Sequence, residues 1–324
     1  MNKNPVRLGV VMDPIADIKP HKDSTFAMLL AAAARGWSLH YMEQNDLRVE
    51  NSKAMATASP LDVRDQPADW FSLGESGDME LGDLDVILMR KDPPFDMEYI
   101  YTSYILELAQ DQGALVVNDP ASLRDANEKV YMSWFPQCCT ETLITRSIAR
   151  IREFAGAHDK IVLKPLDGMG GRSVFVVARN DPNINVIAET LTDFGRQFTM
   201  AQRFLPEIND TGDKRILLID GEPVPYALAR IPAEGEARGN LATGASSRGV
   251  PLSERDYWIC SQLGQTLKEK GLLFVGLDVI GDYMTEINVT SPTCIRELDT
   301  EFDLDIGGLI MDAIQSRLAE GAKN

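Results

Sequence analysis

The sequence has few cysteines, few histidines and a shortage of positive charge. Its 324 residues include 4 cysteines, none of them in a C-x-x-C pair, and 3 histidines. A chain of this length needs no disulfide framework, so we expect reduced thiols. The net charge is −17, from 32 basic and 49 acidic residues. This excess of carboxylates repels phosphate backbones and anionic lipids, which argues against nucleic-acid and membrane partners.

Long apolar segments and a signal-peptide pattern are also absent. The apolar stretch Ala27 to Ala34 is far shorter than the ~20 residues that span a bilayer. The polar segment Met1 to Arg7 leads directly into a strand-like run, without the apolar core of a signal peptide. We therefore expect a cytoplasmic protein. The length and the hydrophobic content of 44% are typical of a globular chain with about two domains.

The hydrophobic pattern divides the chain into two regions. From Val6 to Asn118, short β-branched runs alternate with helical patterns, which predicts βαβ units around a parallel sheet. The polar segment from about Gln44 to Gly82 has little periodicity, and we expect it to lie outside that sheet. After residue 118, strands and tight turns predict an α+β region. Two hairpins are predicted there, with turns at 220–221 and near 281–282.

A glycine-rich turn, Asp167 to Gly171, lies between two predicted strands and shortly after Lys164. Glycines allow backbone N–H groups to converge on an anion, and the lysine adds a positive charge. The turn is not a Walker A loop, because the chain contains no Gly-Lys dipeptide. It is not a dinucleotide fingerprint either, because a strand follows it instead of a helix. The spacing alone fits a phosphate site and a plain hairpin turn equally well.

The second predicted hairpin carries three oxygen ligands of the kind that Mg²⁺ prefers, Asp278, Glu286 and Asn288. Glu286 and Asn288 are two residues apart, so a strand places them on one face. Asp278 joins them only if it lies opposite Glu286, which requires an odd loop or a bulge. We predict the odd loop, residues 281–283. The competing interpretation is that the acids are polar positions of a half-exposed hairpin.

Several long sequence words resemble the bacterial glutathione synthetases of the ATP-grasp superfamily. They are Val10 to Ile15, Met89 to Asp96, Asn127 to Lys129, Lys164 to Gly171, Gly239 to Leu241 and Thr285 to Thr293. The resemblance implies an α/β fold with an N-terminal parallel-sheet (pre-ATP-grasp) domain, residues 1–123, and a two-lobed α+β ATP-grasp domain, residues 124–324. A central lid lobe at about 130–197 and a C-terminal lobe at about 198–324 would hold ATP between them.

The resemblance also implies roles for single residues. The residues expected to bind ATP are Lys129, Lys164, Gly168, Gly170, Gly171, Gln202, Arg203, Phe204, Leu205 and Asp213. Those expected to bind Mg²⁺, or Mn²⁺ in its place, are Asp278, Glu286 and Asn288. The arginines assigned to the active site are Arg215, Arg230 and Arg238, the last on a loop from 231 to about 249. In that loop, residues 244–249 depart from the family's Gly-Gly-Arg-Gly, so a replacement role for Arg248 stays open.

Substrate binding is expected where the N-terminal strands end. Asp13, Arg90 and Lys91 lie at carboxyl ends of predicted strands, the usual ligand side of an open α/β sheet. One acid and two bases suit γ-glutamylcysteine, which carries an ammonium group and carboxylates, and Ser291 could donate to a carboxylate. The competing interpretation is that these are solvated charges at strand ends.

The reaction that the resemblance implies is ATP-dependent joining of γ-glutamylcysteine and glycine to give glutathione, ADP and phosphate. An acyl phosphate activates the carboxylate, and fixed arginines stabilise the phosphoryl transfer and the oxyanion that follows. The family also suggests a homotetramer. Two alternatives are another ATP-grasp ligase that joins amino acids or dipeptides, and a catalytically silent ATP-binding module.

Overall fold

The computed structural model describes residues 5–168, 170–233 and 246–321. Arg238 and the word Gly239 to Leu241 lie outside these ranges. The described residues form an eight-stranded, a four-stranded and a five-stranded sheet. No helix in the described ranges is long and apolar enough to cross a membrane.

The eight-stranded sheet is built from the N-terminal region. Its strands are β1 (Arg7–Val11), β2 (Ser38–Met42), β3 (Leu47–Glu50), β4 (Lys53–Val63), β5 (Phe71–Leu73), β6 (Gly77–Glu80), β7 (Val86–Met89) and β8 (Leu115–Val117). Its helices are α1 (Ser24–Ala34), α2 (Met97–Asp111) and α3 (Pro120–Asp125). Strands β2, β1, β7 and β8 are neighbours and run parallel, which confirms the predicted βαβ units.

The expectation that residues 44–82 lie outside the sheet is wrong. Strand β4 pairs antiparallel with β2, and β3, β5 and β6 pair with β4. Ala54, Ala56 and Ala58 form the buried face of β4. Alanine is a weak strand former, so this alternation gives little signal in the sequence.

The four-stranded sheet is antiparallel and has the order β11-β10-β12-β9. Its strands are β9 (Thr142–Thr145), β10 (Lys160–Pro165), β11 (Phe175–Ala178) and β12 (Thr199–Arg203), and the helices of this region are α4 (Ile148–Ala157) and α5 (Ile184–Leu191). A separate small core, which includes Ile151, Leu163 and Val177, lies here. Because β12 belongs to this sheet, we propose that the division between the two ATP-grasp lobes falls after residue 203, not at about 198.

The five-stranded sheet is antiparallel in the order β15-β14-β13-β16-β17. Its strands are β13 (Asp213–Ile219), β14 (Glu222–Ile231), β15 (Ser246–Pro251), β16 (Phe274–Ile280) and β17 (Tyr283–Asn288), and the helices of this region are α6 (Glu254–Glu269), α7 (Ile295–Phe302) and α8 (Ile306–Gly321). The predicted first hairpin is confirmed: Ile219 pairs with Glu222 across a two-residue turn. Both turn residues have positive φ, 50° at Asp220 and 87° at Gly221, as a tight hairpin turn requires.

The second hairpin contains a β-bulge, so the predicted odd loop is wrong. Ile280 pairs with Tyr283 across a two-residue turn, and the register then shifts between Val279 and Asp278. As a result Asp278 lies opposite Glu286, as the ligand set requires. The physical reason is the core: residues 284 and 287 are both fully buried. In a regular strand, residues three positions apart point to opposite faces of the sheet. One extra residue between them is needed to turn both side chains toward the core.

Candidate active site

A cleft between the four-stranded and five-stranded sheets brings most of the predicted ATP and metal residues together. Its empty volume, counting the part open to solvent, is about 1000 Å³. The predicted residues that line it are Lys129, Lys164, Gly168, Gly170, Gly171, Gln202, Arg203, Phe204, Leu205, Asp213, Arg215, Asp278, Glu286 and Asn288.

Two lysine ammonium groups converge on one carboxylate oxygen in this cleft. Nζ of Lys164, on β10, lies 3.4 Å from Glu286 Oε1, and Nζ of Lys129 lies 3.6 Å from the same atom. Lys129 also contacts the Glu128 carboxylate and donates to the backbone carbonyl of Gly168 at 2.8 Å. The hydrogen bond from Lys129 therefore connects the glycine turn to the acidic side of the cleft.

The charges of these groups depend on one another. Burial tends to lower the pKa of Lys129, but the carboxylates of Glu286 and Glu128 outweigh it, and the pKa is raised. Burial tends to raise the pKa of Glu286, but the two lysines outweigh it, and the pKa is lowered. At Glu128 burial and the nearby Glu286 prevail, and the pKa is raised. Lys129 and Glu286 are consequently charged at neutral pH.

The arginines form a second network around Asp278. Arg215, on β13, donates to both of its carboxylate oxygens, from Nε at 2.5 Å and from Nη2 at 3.1 Å. Arg230, on β14, contacts the same carboxylate at 3.0 Å and donates to Asp213 at 2.5 Å. Burial alone would raise the pKa of Asp278, but the two guanidinium groups outweigh it and hold that pKa well below its usual range. Arg230 does not itself line the cleft; it acts on the cleft through Asp278 and Asp213.

Asp213 has a carboxylate oxygen that lacks a partner. Its Oδ2 accepts from Arg230, but its buried Oδ1 has no hydrogen-bond partner within the described ranges. Burial raises the pKa of Asp213 to about 7, in spite of the nearby Arg230 guanidinium. Buried polar atoms are usually satisfied in native proteins, so the free Oδ1 marks a position where a ligand can donate.

The glycine turn needs its glycines for two different reasons. Gly170 and Gly171 have φ of 62° and 76°, in the left-handed region that favours glycine. A Cβ on Gly168 would lie 2.5 Å from Cγ of Pro165, closer than any real contact. The turn therefore brings bare backbone to the rim of the cleft, which is the arrangement that phosphate sites use.

The predicted substrate residues lie at a second cavity, where the N-terminal sheet meets the segment that follows β17. Asp13, Arg90 and Ser291 line this cavity, and Lys91 forms an ion pair with Asp13 at 2.8 Å. Arg90 is buried: its Nε donates to Thr25 Oγ1 at 3.0 Å and its Nη2 to the Pro292 carbonyl at 2.9 Å. The structure therefore brings these four residues together, but away from the lysines and the glycine turn.

Comparison with known proteins identifies the family. The N-terminal domain model of prokaryotic glutathione synthetase matches residues 6–124, and the ATP-grasp domain model of the same enzyme matches residues 128–303. The chain belongs to the prokaryotic glutathione synthetase family. Glutathione synthetase of Pseudomonas putida is 63% identical over 313 residues, 97% of this chain and 98% of that protein. Glutathione synthetase of Escherichia coli is 58% identical over 315 residues, 97% of this chain and 99% of that protein.

Solved structures with low sequence identity share the overall fold of this chain. D-cycloserine synthetase DcsG aligns with a TM-score of 0.69 at 14% identity, covering 96% of this chain and 99% of that one. D-alanyl-alanine synthetase A from Vibrio cholerae aligns with a TM-score of 0.58 at 12% identity, covering 97% and 99%. At these identities the structures support the fold alone. The predicted α/β architecture, a parallel-sheet domain followed by an ATP-grasp domain, is confirmed.

Sequence reasoning did not select several residues that line the cleft. Glu128 lies inside the matching word Asn127 to Lys129, so the family pattern could have identified it. Apolar wall residues such as Val162 and Ile280 carry no such signal, because in sequence they look like ordinary strand residues. The described residues contain no cluster of three acidic, histidine or cysteine side chains that could hold a metal ion. The predicted set instead combines two carboxylates with the amide of Asn288.

Proposed function

We propose that this chain joins γ-glutamylcysteine to glycine and forms glutathione, with ATP converted to ADP and phosphate. One observation carries the proposal: in a member of the glutathione synthetase family, two lysines converge on Glu286 beside the glycine turn. Lysine ammonium groups and glycine-rich backbone are the groups that hold the phosphates of a nucleotide.

The nucleotide would lie along the cleft. Lys129, Lys164 and the backbone of Gly168, Gly170 and Gly171 would bind the phosphates. Residues 202–205, at the end of β12, line the same cleft and would contact the adenine edge. The free Oδ1 of Asp213 would accept a hydrogen bond from the nucleotide, which would satisfy that buried atom.

The oxygen ligands in the cleft fit a hard divalent cation such as Mg²⁺ or Mn²⁺. Nδ2 of Asn288 donates to the Gly276 carbonyl at 3.3 Å, which leaves its Oδ1 as the atom for a cation. Glu286 is ionised and lines the cleft beside Asn288. Asp278 is the third proposed ligand, although its two oxygens already accept from arginines. When bound, the cation would neutralise charge on the phosphates and hold them in line for transfer.

A divalent cation also suits the charge balance of the site. The four cations, Lys129, Lys164, Arg215 and Arg230, each contact at least one of four carboxylates, Glu128, Asp213, Asp278 and Glu286. Carboxylates therefore partly neutralise these four cations, and a bound divalent cation would add positive charge for a polyphosphate.

The chemistry would proceed in two displacements. An oxygen of the cysteinyl carboxylate attacks the γ-phosphorus, the bond to ADP breaks, and an acyl phosphate forms. The glycine amine then attacks the carbonyl carbon and loses a proton, and phosphate leaves with the carboxylate oxygen. Arg215 would stabilise the transferred phosphoryl group and the oxyanion, and Asp278 would hold that guanidinium in place. We propose that Arg230 and Arg238 also belong to the catalytic set, Arg230 through its contacts with Asp278 and Asp213.

The second cavity would bind γ-glutamylcysteine. Asp13 would accept from its ammonium group, while Lys91, Arg90 and Ser291 would contact its carboxylates. The assignment rests on the charged groups at the cavity, one acid and two bases, which complement the ammonium group and the carboxylates of this substrate.

ADP release measured with each substrate alone and with both together tests the proposal. We expect release to depend on γ-glutamylcysteine and glycine together. Release driven instead by other amino acids or dipeptides would indicate a different ATP-grasp ligase. Nucleotide binding without release under any combination would indicate a silent module. We also propose a homotetramer, for which light scattering should give four times the mass of the chain.

A further inference from the structure

Thr285 is the extra residue of the β-bulge in β17. Along this strand Met284 pairs with Val279 and Glu286 pairs with Asp278, while Thr285 has no partner position. The extra residue sets the register that places Asp278 opposite Glu286. Thr285 itself occupies no paired position, and its carbonyl and hydroxyl have other partners.

The backbone carbonyl of Thr285 accepts a hydrogen bond from Lys164. The distance from Nζ to that oxygen is 3.2 Å, and the bond is buried. Nζ of Lys164 also lies 3.4 Å from Glu286 Oε1, so two successive residues of β17 hold one ammonium group. An ammonium group has three donors. Two of them face the strand in the contacts that the structure describes, and the third is left for a phosphate oxygen.

The Thr285 side chain fixes the peptide that carries this carbonyl. Its hydroxyl donates to the backbone carbonyl of Asp278 at 3.2 Å, across the bulge, in a buried position. At a bulge the regular ladder bonds are interrupted. The hydrogen bond from the Thr285 hydroxyl restrains the backbone where a regular ladder bond is absent.

We propose that Thr285 is a positioning residue for Lys164: its carbonyl holds the ammonium group, and its hydroxyl holds the carbonyl. The inference rests on the proposed function, because it takes Lys164 to bind the nucleotide phosphates. In this proposal the bulge sets the strand register and also directs the Thr285 carbonyl oxygen toward the ammonium group of Lys164.

Equilibrium binding of ADP, measured by titration calorimetry without turnover, tests the role of the hydroxyl. Thr285→Val removes the hydroxyl and keeps the β-branched shape, while Thr285→Ser keeps the hydroxyl and removes a methyl group. We expect Thr285→Val to weaken ADP binding about two- to tenfold, the effect of one hydrogen bond, and Thr285→Ser to restore most of it. Thr285→Ala serves as a second variant in case valine disturbs folding. Native ADP affinity in both Thr285→Val and Thr285→Ala would overturn the proposal.

A matched control separates this effect from the loss of any buried hydroxyl. Thr102, in α2, is also buried, and its hydroxyl donates to the Glu98 carbonyl at 2.9 Å, remote from the cleft. Thr102→Val should leave ADP affinity unchanged. An equal loss in this variant would contradict a specific role for Thr285.

A double-mutant cycle with Lys164→Met tests whether Thr285 acts through the lysine. If it does, Thr285→Val has no further effect on ADP affinity once Lys164 is absent, because the group that it positions is gone. Additive losses would overturn the inference and leave the proposed function intact. Native ADP affinity in Lys164→Met alone would instead count against the proposed function.

Discussion

Asp278 lies directly opposite Glu286 in the β16–β17 hairpin, but the two carboxylates belong to different charge networks. Asp278 is held by the guanidinium groups of Arg215 and Arg230, and Glu286 by the ammonium groups of two lysines. The same hairpin therefore carries Glu286, which fixes the proposed phosphate-binding lysines, and Asp278, which fixes the proposed catalytic arginines. A change on this hairpin should separate nucleotide binding from catalysis, depending on which carboxylate is altered.

Removal of Lys164 should weaken nucleotide binding without unfolding the protein. We expect Lys164→Met to weaken ADP binding by about tenfold or more, the effect of a charge-assisted hydrogen bond of ~1.5–3 kcal/mol. Calorimetric titration measures this, and circular dichroism checks the fold. Lys22 is an exposed lysine of the N-terminal region, so Lys22→Met is the matched control and should bind ADP normally.

Neutralisation of Asp278 should destabilise the fold as well as abolish turnover. In Asp278→Asn two buried guanidinium groups lose a common carboxylate, and breaking such a pair costs about 3–5 kcal/mol. Urea unfolding measures the loss. Asp282 is exposed in the turn of the same hairpin, so Asp282→Asn should change the free energy of unfolding by less than ~0.5 kcal/mol. Similar values for the two variants would show that the buried network contributes little.

Asp213 should make folding stability fall as the pH rises toward 7. Its pKa is raised to about 7 in the folded protein, above the unfolded value of ~3.9. Between these values the folded state binds more protons, so this group alone lowers the free energy of unfolding by up to ~1.4 kcal/mol per pH unit. Asp213→Asn removes the contribution. Urea unfolding at pH 5, 6, 7 and 8 gives the free energy of unfolding of the native protein and of Asp213→Asn. The difference between these two free energies should change up to about pH 7 and then level off. A difference that stays constant over the whole pH range would contradict the assignment.

Glu286 and Asn288 should set the affinity for the divalent cation. We expect Glu286→Gln to weaken Mn²⁺ binding in the presence of ADP by about tenfold or more, because a charged ligand is lost. Electron paramagnetic resonance of free Mn²⁺ gives this affinity without turnover. Glu269 is exposed at the end of α6, and Glu269→Gln is the control. Unchanged Mn²⁺ affinity in Glu286→Gln would remove Glu286 from the ligand set.

The sequence predicts which side chains belong to this site better than it predicts the hydrogen bonds and ion pairs that join them. The glycine turn, Lys164 and the acids of the second hairpin are visible because short motifs carry them. The bulge at Thr285 is not visible, because it depends on residues 284 and 287 both packing in the core. The joining of Asp278 to Arg215 and Arg230 depends on which strands are neighbours within one sheet. The joining of Glu286 to Lys164 depends on how two sheets face each other, and no local pattern encodes either relationship.

Transfer of isotope from substrate to phosphate tests the central claim most directly. The protein would be supplied with ATP, glycine and γ-glutamylcysteine that carries ¹⁸O in its cysteinyl carboxylate, and the products would be analysed by mass spectrometry. The account predicts glutathione and phosphate in equal amounts, with one ¹⁸O atom in each phosphate, because the carboxylate oxygen leaves with the phosphoryl group. Glutathione formed with unlabelled phosphate, or ADP released without glutathione, would contradict it.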